Sequence, residues 1–215
     1  MKHTSKFSSS ITTRPAQPTD ARPVSQLIFD TFPKMATYVF GLGNATRAVM
    51  LFETLFSLKG HRFSYQHTEI ITSGNRILGM FIAYPGKTLL GLNWRTARVL
   101  LKKYTFGEKF QLITRALPIL FIQEAARNEF LLSNLAVKKG QRGQGIGTQI
   151  LGYVEAKAHC AGYQKLALLV TMDNQQAREF YERHGFRVRA AHLESNRRIK
   201  HLGPGYLRMV KEIKQ

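Results

Sequence analysis

The sequence has one cysteine and no clustered metal ligands. Cys160 alone cannot form an internal disulfide, and the seven histidines are scattered without a metal-binding pair at helical spacing. A disulfide-stapled fold is therefore excluded, and neither a zinc site nor any other metal is expected. The usage of cysteine favours a reducing, cytoplasmic setting.

The sequence also lacks a long hydrophobic run. Its most apolar stretch, residues 117–122, is short, whereas a membrane-spanning helix needs about twenty apolar residues. Arg115 and Glu124 flank this stretch, so we expect no membrane span. Residues 1–10 have no apolar core of the length that a signal peptide requires, and export is not expected.

Acidic residues are scarce. The chain has 13 Asp and Glu against 32 Lys and Arg, which gives a net charge of +19. This charge creates a positive potential that attracts anionic partners. The anionic partner could be nucleic acid, an acidic protein face, an anionic membrane or a polyphosphate cofactor. Charge alone does not choose among these four.

A sizeable hydrophobic core is expected despite the charge. Hydrophobic residues make up 44% of the 215 positions and include 14 Phe and 8 Tyr. This composition is typical of a globular chain rather than a disordered one. We predict a single domain over residues 1–215, with a mainly helical insertion at 85–128, where apolar residues recur at helical spacing and Pro118 indicates a kink or a fresh helix start.

The first part of the chain predicts one strand, two helices and a hairpin. A strand is expected at 9–15, a helix after the N-cap Thr19-Asp20, and a second helix from Asn44 that stops before Gly60. Residues 67–71 and 76–84 alternate like strands around a turn at 72–75.

The second part alternates strands with helices. Strands are expected at 130–137, 165–171, 186–193 and 206–210, and helices from about 146 to Gly162 and over 174–184. This order predicts a mixed sheet flanked by helices.

A glycine-rich turn joins the strand at 130–137 to the helix that follows it. Gly140, Gly143, Gly145 and Gly147 lie there, and they let backbone N–H groups and the positive end of the helix dipole converge on an anion. The segment has neither the G-x-G-x-x-G spacing of a Rossmann turn nor the Gly-Lys-Ser/Thr of a P-loop. A ligand-free, flexible helix start is the alternative for such a cluster.

Two motifs in order carry a resemblance to a known family. Residues 142–147 read Arg-x-x-Gly-x-Gly, which is similar to the acetyl-coenzyme A signature of the GNAT superfamily of N-acetyltransferases. Residues 174–186 read Asn-x-x-Ala-x-x-Phe-Tyr-x-x-x-Gly-Phe, which resembles the second element of that family. The resemblance is strong over residues 130–190 and weaker elsewhere.

The resemblance implies a fold, a co-substrate and a site. The fold would be the α+β GNAT fold, a central mixed, mostly antiparallel sheet flanked by helices, with the helical insertion before the fourth strand. Acetyl-CoA would be the acetyl donor. Its pantetheine arm would pair with the backbone of Leu135, Ala136 and Val137, and Asn174 would contact the co-substrate from the next helix. Its pyrophosphate would be held by the amides of Arg142, Gly143, Gln144, Gly145, Ile146, Gly147 and Thr148. Tyr181 would be the general acid that protonates the departing thiolate, a role that suits a phenol because its ordinary pKa is about 10. Packing in the aromatic core is the other interpretation of Tyr181.

The general base and the acceptor stay open. Some relatives place a Glu in the strand at 130–137, whereas this chain has Ser133 and Asn134 there. Ordered water is one route for deprotonation; Glu124, Glu129 and Asp173 are weak candidates and are expected to be solvated surface charges. The insertion at 85–128 is expected to pack beside the acceptor end of the sheet or against a second copy of the chain, in a homodimer.

Two functions remain in view. The first is an N-acetyltransferase that acts on a primary amine of a small molecule or a protein. The second is a binding module that keeps the fold without turnover and engages nucleic acid or an acidic protein.

Overall fold

A computed structural model of the chain describes residues 11–119, 122–193 and 202–213. The strands are β1 (Ile11–Pro15), β2 (Thr68–Ser73), β3 (Arg76–Pro85), β4 (Phe130–Val137), β5 (Lys165–Thr171), β6 (Arg187–Leu193) and β7 (Gly205–Glu212). The α-helices are α1 (Ala21–Thr31), α2 (Pro33–Met35), α3 (Ala45–Phe56), α4 (Leu89–Lys103), α5 (Phe106–Ala116), α6 (Ile146–Cys160) and α7 (Gln175–Arg183). A π-helical turn (Ala36–Phe40) follows α2.

All seven strands form one sheet in the order β1-β2-β3-β4-β5-β7-β6. Every neighbouring pair is antiparallel except β4 and β5, which are parallel. The mixed, mostly antiparallel sheet predicted from the sequence is confirmed. The parallel pair lies in the middle of the sheet, where α6 makes the crossover between its strands.

The sheet separates two hydrophobic cores. On β3, Met80 and Ile82 point to the core that contains α1 and α3, whereas Phe81 and Ala83 point to the core that contains α6. This alternation follows from the two-residue period of a strand, and because both faces are covered, β3 is apolar almost throughout.

Two local signals in the first part act as predicted, whereas Asp20 precedes α1 without capping it and instead accepts from the N–H of Gln17 and pairs with Arg14. The Asn44 side chain accepts a hydrogen bond from the N–H of Arg47 at 3.0 Å and so caps α3. The hairpin between β2 and β3 turns through Gly74, whose φ of 56° favours glycine. The second-part strands and helices form within two residues of their predicted bounds.

The segment between β3 and β4 is mainly helical. It contains α4 and α5, followed by a 3-10 turn at Leu117–Ile119 that contains Pro118. Leu92, Leu100 and Leu112 lie in the same core as α1 and α3, so the inner side of the insertion packs on that face of the protein.

Candidate active site

The two parallel strands diverge and open a wedge in the middle of the sheet. β4 and β5 pair only at Phe130–Leu166 and Leu131–Ala167, although β4 continues to Val137. From residue 132 onward, the edge of β4 that faces β5 has no strand partner. Backbone N–H and C=O groups require partners, and this edge is therefore available to an extended ligand.

A β-bulge in β4 marks the point where the wedge opens. Ile82 on β3 pairs with Asn134, and the next residue, Ala83, pairs with Leu132. Ser133 is therefore an extra residue on β4. A bulge of this kind bends the strand and turns its peptide groups, and here it aims the remainder of β4 away from β5.

The glycine-rich turn lies at the wide end of the wedge. Gly143 and Gly145 have φ values of 78° and 77°, a region in which residues with a Cβ are strained. Three exposed basic residues, Lys138, Lys139 and Arg142, surround the turn. The Nε atom of Arg142 donates to the carbonyl oxygen of Val137 at 3.2 Å, which fixes its side chain at the end of β4.

The N-terminus of α6 begins at this turn and has no side-chain cap. Its N-cap residue is Gly145, which carries no side chain, and the first helical hydrogen bond runs from Gln149 N–H to the Gly145 carbonyl. The N–H groups of Ile146, Gly147 and Thr148 therefore have no helical acceptor. Together with the helix dipole, they form an arrangement suited to an anion.

Helix α7 packs directly over the first turn of α6. A Cβ added at Gly147 would lie 3.1 Å from the Cζ atom of Phe180, so only glycine allows this approach without a shift of the ring. His184 reinforces the contact. Its Nδ1 lies 2.7 Å from the carbonyl oxygen of Phe180, and its Nε2 lies 3.0 Å from Oγ1 of Thr148. Because a carbonyl only accepts, Nδ1 is the donor, and in the neutral ring Nε2 accepts from the hydroxyl of Thr148.

The Thr148–His184 contact is expected to couple the two helices energetically. A double-mutant cycle with Thr148→Val and His184→Ala should give a coupling energy of about 0.5–1.5 kcal/mol, typical of one neutral hydrogen bond. Urea unfolding of the four proteins measures it. Additive losses in the two single variants would contradict the contact.

Tyr181 lies on the side of α7 that faces the core containing α6. Its ring is 5.3 Å from that of Phe180 and 5.5 Å from that of Phe186, centroid to centroid, so the aromatic packing considered from the sequence is present. Burial raises the pKa of Tyr181 to about 12. Its hydroxyl therefore stays protonated throughout the neutral range.

Asn174 begins α7 at the carboxyl end of β5. Its side-chain oxygen accepts a hydrogen bond from the N–H of Ala177 at 3.1 Å, which caps the helix. This cap commits the oxygen of the carboxamide, and only its NH₂ group remains to donate to a ligand.

A partly buried polar cluster underlies β4 on the face covered by α1 and α3. Arg62 donates from both terminal nitrogens to Glu124, at 2.8 and 2.6 Å, and also to Ser133 at 3.2 Å. Burial raises the pKa of Tyr84 beside this cluster, although Arg62 acts in the opposite direction. Asn134 donates to Thr31 at 2.7 Å. Sequence reasoning missed Arg62, because its partners lie 62 and 71 positions away.

The three carboxylates weighed as general bases all form ion pairs. Glu124 pairs with Arg62, and Glu129 pairs with Arg208. Asp173 lies 2.8 Å from Lys34, and hydrogen bonding to this lysine lowers the pKa of Asp173. The expectation that all are solvated surface charges is wrong for Glu129, which is 6% exposed because it sits against Arg208 beneath the start of β4. It is also wrong for Glu124, whose side chain is only 18% exposed because it pairs with Arg62.

Asp173 is expected to be dispensable for proton removal. Asp173→Asn should change the turnover rate less than about fivefold, since an exposed ion pair contributes only about 0–1 kcal/mol. Lys34→Met serves as the matched control because it removes the same pair from the other side. A loss above about a hundredfold in the Asp173 variant alone would make this carboxylate the base.

Within residues 11–119, 122–193 and 202–213, no group of three or more His, Cys, Asp or Glu side chains is placed to hold a metal ion. In the same ranges, no helix combines the length and the apolar character needed to span a bilayer.

Comparisons with known proteins agree with this fold. Residues 99–186 match the family model of the acetyltransferase (GNAT) family, and this match includes the glycine turn and Tyr181. An N-acetyltransferase structure from Staphylococcus aureus Mu50 superimposes with a TM-score of 0.70 at 19% identity, covering 93% of this chain and 99% of that one. The chain is a GNAT-fold protein. The resemblance that its two motifs carry is thereby confirmed.

Two further GNAT structures share the fold. The ribosomal-protein-S18-alanine N-acetyltransferase from Escherichia coli aligns with a TM-score of 0.55 at 16% identity and covers 96% of each chain. A GNAT family acetyltransferase from Elizabethkingia anophelis, with acetyl-CoA bound, aligns with a TM-score of 0.53 at 17% identity, covering 94% of this chain and 97% of that one. No curated protein sequence matches the chain.

Proposed function

We propose that this GNAT-fold protein is an N-acetyltransferase that transfers the acetyl group of acetyl-CoA to a primary amine. The observation that carries the proposal is the wedge between β4 and β5, which leads directly to the uncapped N-terminus of α6. The free edge of β4 in the wedge suits an extended, amide-containing arm, and the N-terminus of α6 suits a pyrophosphate. Their continuity matches a ligand that contains both.

The placement of acetyl-CoA follows from these features. The pantetheine amides would pair with the backbone of Leu135, Ala136 and Val137 along the free edge of β4. The pyrophosphate would accept from the N–H groups of residues 142–148, next to three exposed basic side chains that complement its charge. The carboxamide NH₂ of Asn174 would approach the ligand from α7.

The chemistry is nucleophilic acyl transfer. The amine nitrogen forms a bond to the acetyl carbon and loses a proton, and the carbon–sulfur bond breaks to release a thiolate. Tyr181 donates a hydrogen bond from its hydroxyl to that sulfur, and the released thiolate takes its proton from solvent. Because its pKa is raised to about 12, above that of a thiol, its main contribution is a hydrogen bond that stabilises the thiolate as it forms.

Proton removal from the amine is assigned to ordered water. The carboxylates near the sheet are held in ion pairs, which favours their role as structural partners of Arg62, Arg208 and Lys34. Acceptors whose amine is largely unprotonated at the working pH should therefore react fastest. The acceptor is a small molecule or a protein that bears such an amine.

A thiol-release assay tests the proposal. Purified protein is mixed with acetyl-CoA and a panel of small amines and N-terminal peptides, and free CoA thiol is measured while mass spectrometry detects acetylated amine. The proposal predicts amine-dependent thiol release with one acetylated amine per thiol. Tight binding of acetyl-CoA with no turnover across the panel would favour the alternative, a binding module that keeps the fold.

A further inference from the structure

Helix α5 carries an apolar stripe that faces solvent. Phe106, Phe110, Ile113 and Leu117 follow one another at intervals of four, three and four residues, which places them on one side of the helix and its following turn. Their side chains are 91%, 72%, 52% and 51% exposed. Contiguous exposed apolar surface of this kind marks an interaction site in soluble proteins.

The opposite side of α5 is fixed to the body of the protein by polar contacts. Glu108 accepts from Arg47 at 2.6 Å, and Arg115 donates to the carbonyl oxygen of Tyr38 at 2.8 Å while its guanidinium lies 4.8 Å from the ring centroid of the same tyrosine. Leu112, on this side, is buried. The helix therefore cannot rotate to bury its stripe without breaking an ion pair and a hydrogen bond.

The surroundings of the stripe are strongly basic. Between residues 86 and 119 the only acidic residue is Glu108, which is already paired, and the basic residues are Lys87, Arg95, Arg98, Lys102, Lys103, Lys109 and Arg115. Lys102 and Lys103 end α4 immediately before α5 and are exposed. A partner for this face must therefore offer both an apolar region and negative charge.

From these observations we infer that the outer face of α5 docks the protein on an anionic phospholipid surface. Such a surface supplies negative headgroups for the lysines and, just below them, hydrocarbon for the stripe. A second copy of the chain, as the sequence analysis suggested, would bring two basic faces together in a molecule of net charge +19. Nucleic acid would satisfy the charge but leave Ile113 and Leu117 without a partner, because aliphatic side chains do not stack on bases.

The neighbouring helix has the same character. On α4, Leu90 and Trp94 are exposed and lie one turn apart, and Arg98 follows Trp94 after another turn. A tryptophan prefers the level of lipid headgroups because its ring is apolar and its N–H is polar. The insertion thus presents exposed apolar and basic residues on both of its helices.

Vesicle co-sedimentation of the full chain tests the inference. Vesicles of pure phosphatidylcholine are compared with vesicles that also contain phosphatidylserine, at low and high salt. The full chain should bind the anionic vesicles, bind neutral ones at least about tenfold more weakly, and lose affinity as salt rises. The variant Phe106→Ser/Phe110→Ser should bind anionic vesicles at least about tenfold more weakly than the unaltered chain.

A matched control separates this stripe from exposed apolar residues in general. Leu193→Ser removes another exposed apolar side chain, which lies on the edge strand β6 outside the insertion, and it should leave vesicle binding unchanged. Thermal unfolding and acetyl-CoA binding should be unaltered in both variants, which keeps a folding defect apart from a docking defect.

Four results of the vesicle and oligomerisation measurements would overturn the inference. They are no binding to anionic vesicles, equal binding to neutral and anionic vesicles, equal loss in the control variant, and a concentration-dependent dimer that the double substitution abolishes. The last would assign the stripe to a second copy. Binding of an oligonucleotide that depends on Phe106 and Phe110, without vesicle binding, would overturn it as well.

Discussion

Gly147→Val is expected to weaken acetyl-CoA binding by about a hundredfold or more. The new Cβ would lie 3.1 Å from Phe180, and the side chain would displace the ring or the first turn of α6. Either shift breaks the alignment of the N–H groups on the pyrophosphate, and the loss of one or two charge-assisted hydrogen bonds at about 1.5–3 kcal/mol each gives this effect. Isothermal titration calorimetry measures the affinity.

Gly140→Val is the matched control for this experiment. Gly140 lies in the same turn, has no positive φ, and an added Cβ would meet nothing within 4 Å. The control should bind acetyl-CoA with nearly unaltered affinity. If Gly147→Val folds as judged by circular dichroism and binds normally, the pyrophosphate does not lie on the N-terminus of α6.

Tyr181→Phe is expected to lower kcat by about a hundredfold or more while the KM for acetyl-CoA changes little. The substitution keeps the ring that packs between Phe180 and Phe186 and removes only the hydroxyl, so the loss reports the proton or hydrogen bond given to the thiolate. Steady-state kinetics with a verified amine acceptor measure it. Full turnover in this variant would leave Tyr181 with a packing role alone.

The pH dependence offers an independent check on Tyr181. The protonated phenol is the active form, and because its pKa is raised to about 12, this form persists as the pH increases through the neutral and mildly alkaline range. The rate should therefore rise as the amine acceptor loses its proton and show no decline due to Tyr181 below about pH 11. A descending limb near about pH 9 that vanishes in Tyr181→Phe would contradict the raised pKa.

Much of the sheet was predictable from local patterns. β4 and β5 lie over the residues expected, because each is a short apolar run bounded by turn signals. The helix α6 begins directly after Gly145 and ends before Gly162, whose φ of 79° suits a helix end. These features depend on residues close together in the chain, which is the information that periodicity carries.

The wedge and the polar cluster were not predictable in the same way. The bulge at Ser133 depends on the register between β3 and β4, and nothing in the residue types of β4 specifies it. Arg62 meets Glu124 and Ser133 only because the insertion and β4 fold over the same loop. Contacts between residues so distant in sequence leave no spacing signal that a single sequence can show.

The insertion shows the limit of a helical pattern. The apolar spacing predicted helices, and α4 and α5 form. Of the apolar stripe expected to be buried, only the inner residues, such as Leu100 and Leu112, are buried, in the core that also contains α1 and α3. Phe106 and Phe110 face outward because Glu108 and Arg115 hold the other side of α5 to the protein, and a pattern of apolar positions does not reveal which side a polar anchor selects.

The central claim is that acetyl-CoA occupies the wedge with its pyrophosphate on the N-terminus of α6. Backbone amide chemical shifts, recorded by NMR on the full chain with increasing acetyl-CoA, test this most directly. The account predicts that the largest shifts occur at residues 134–137 and 143–148, including the glycine amides of the turn, and that they saturate together. Unmoved amides in both segments, with saturable shifts elsewhere in the chain, would contradict it.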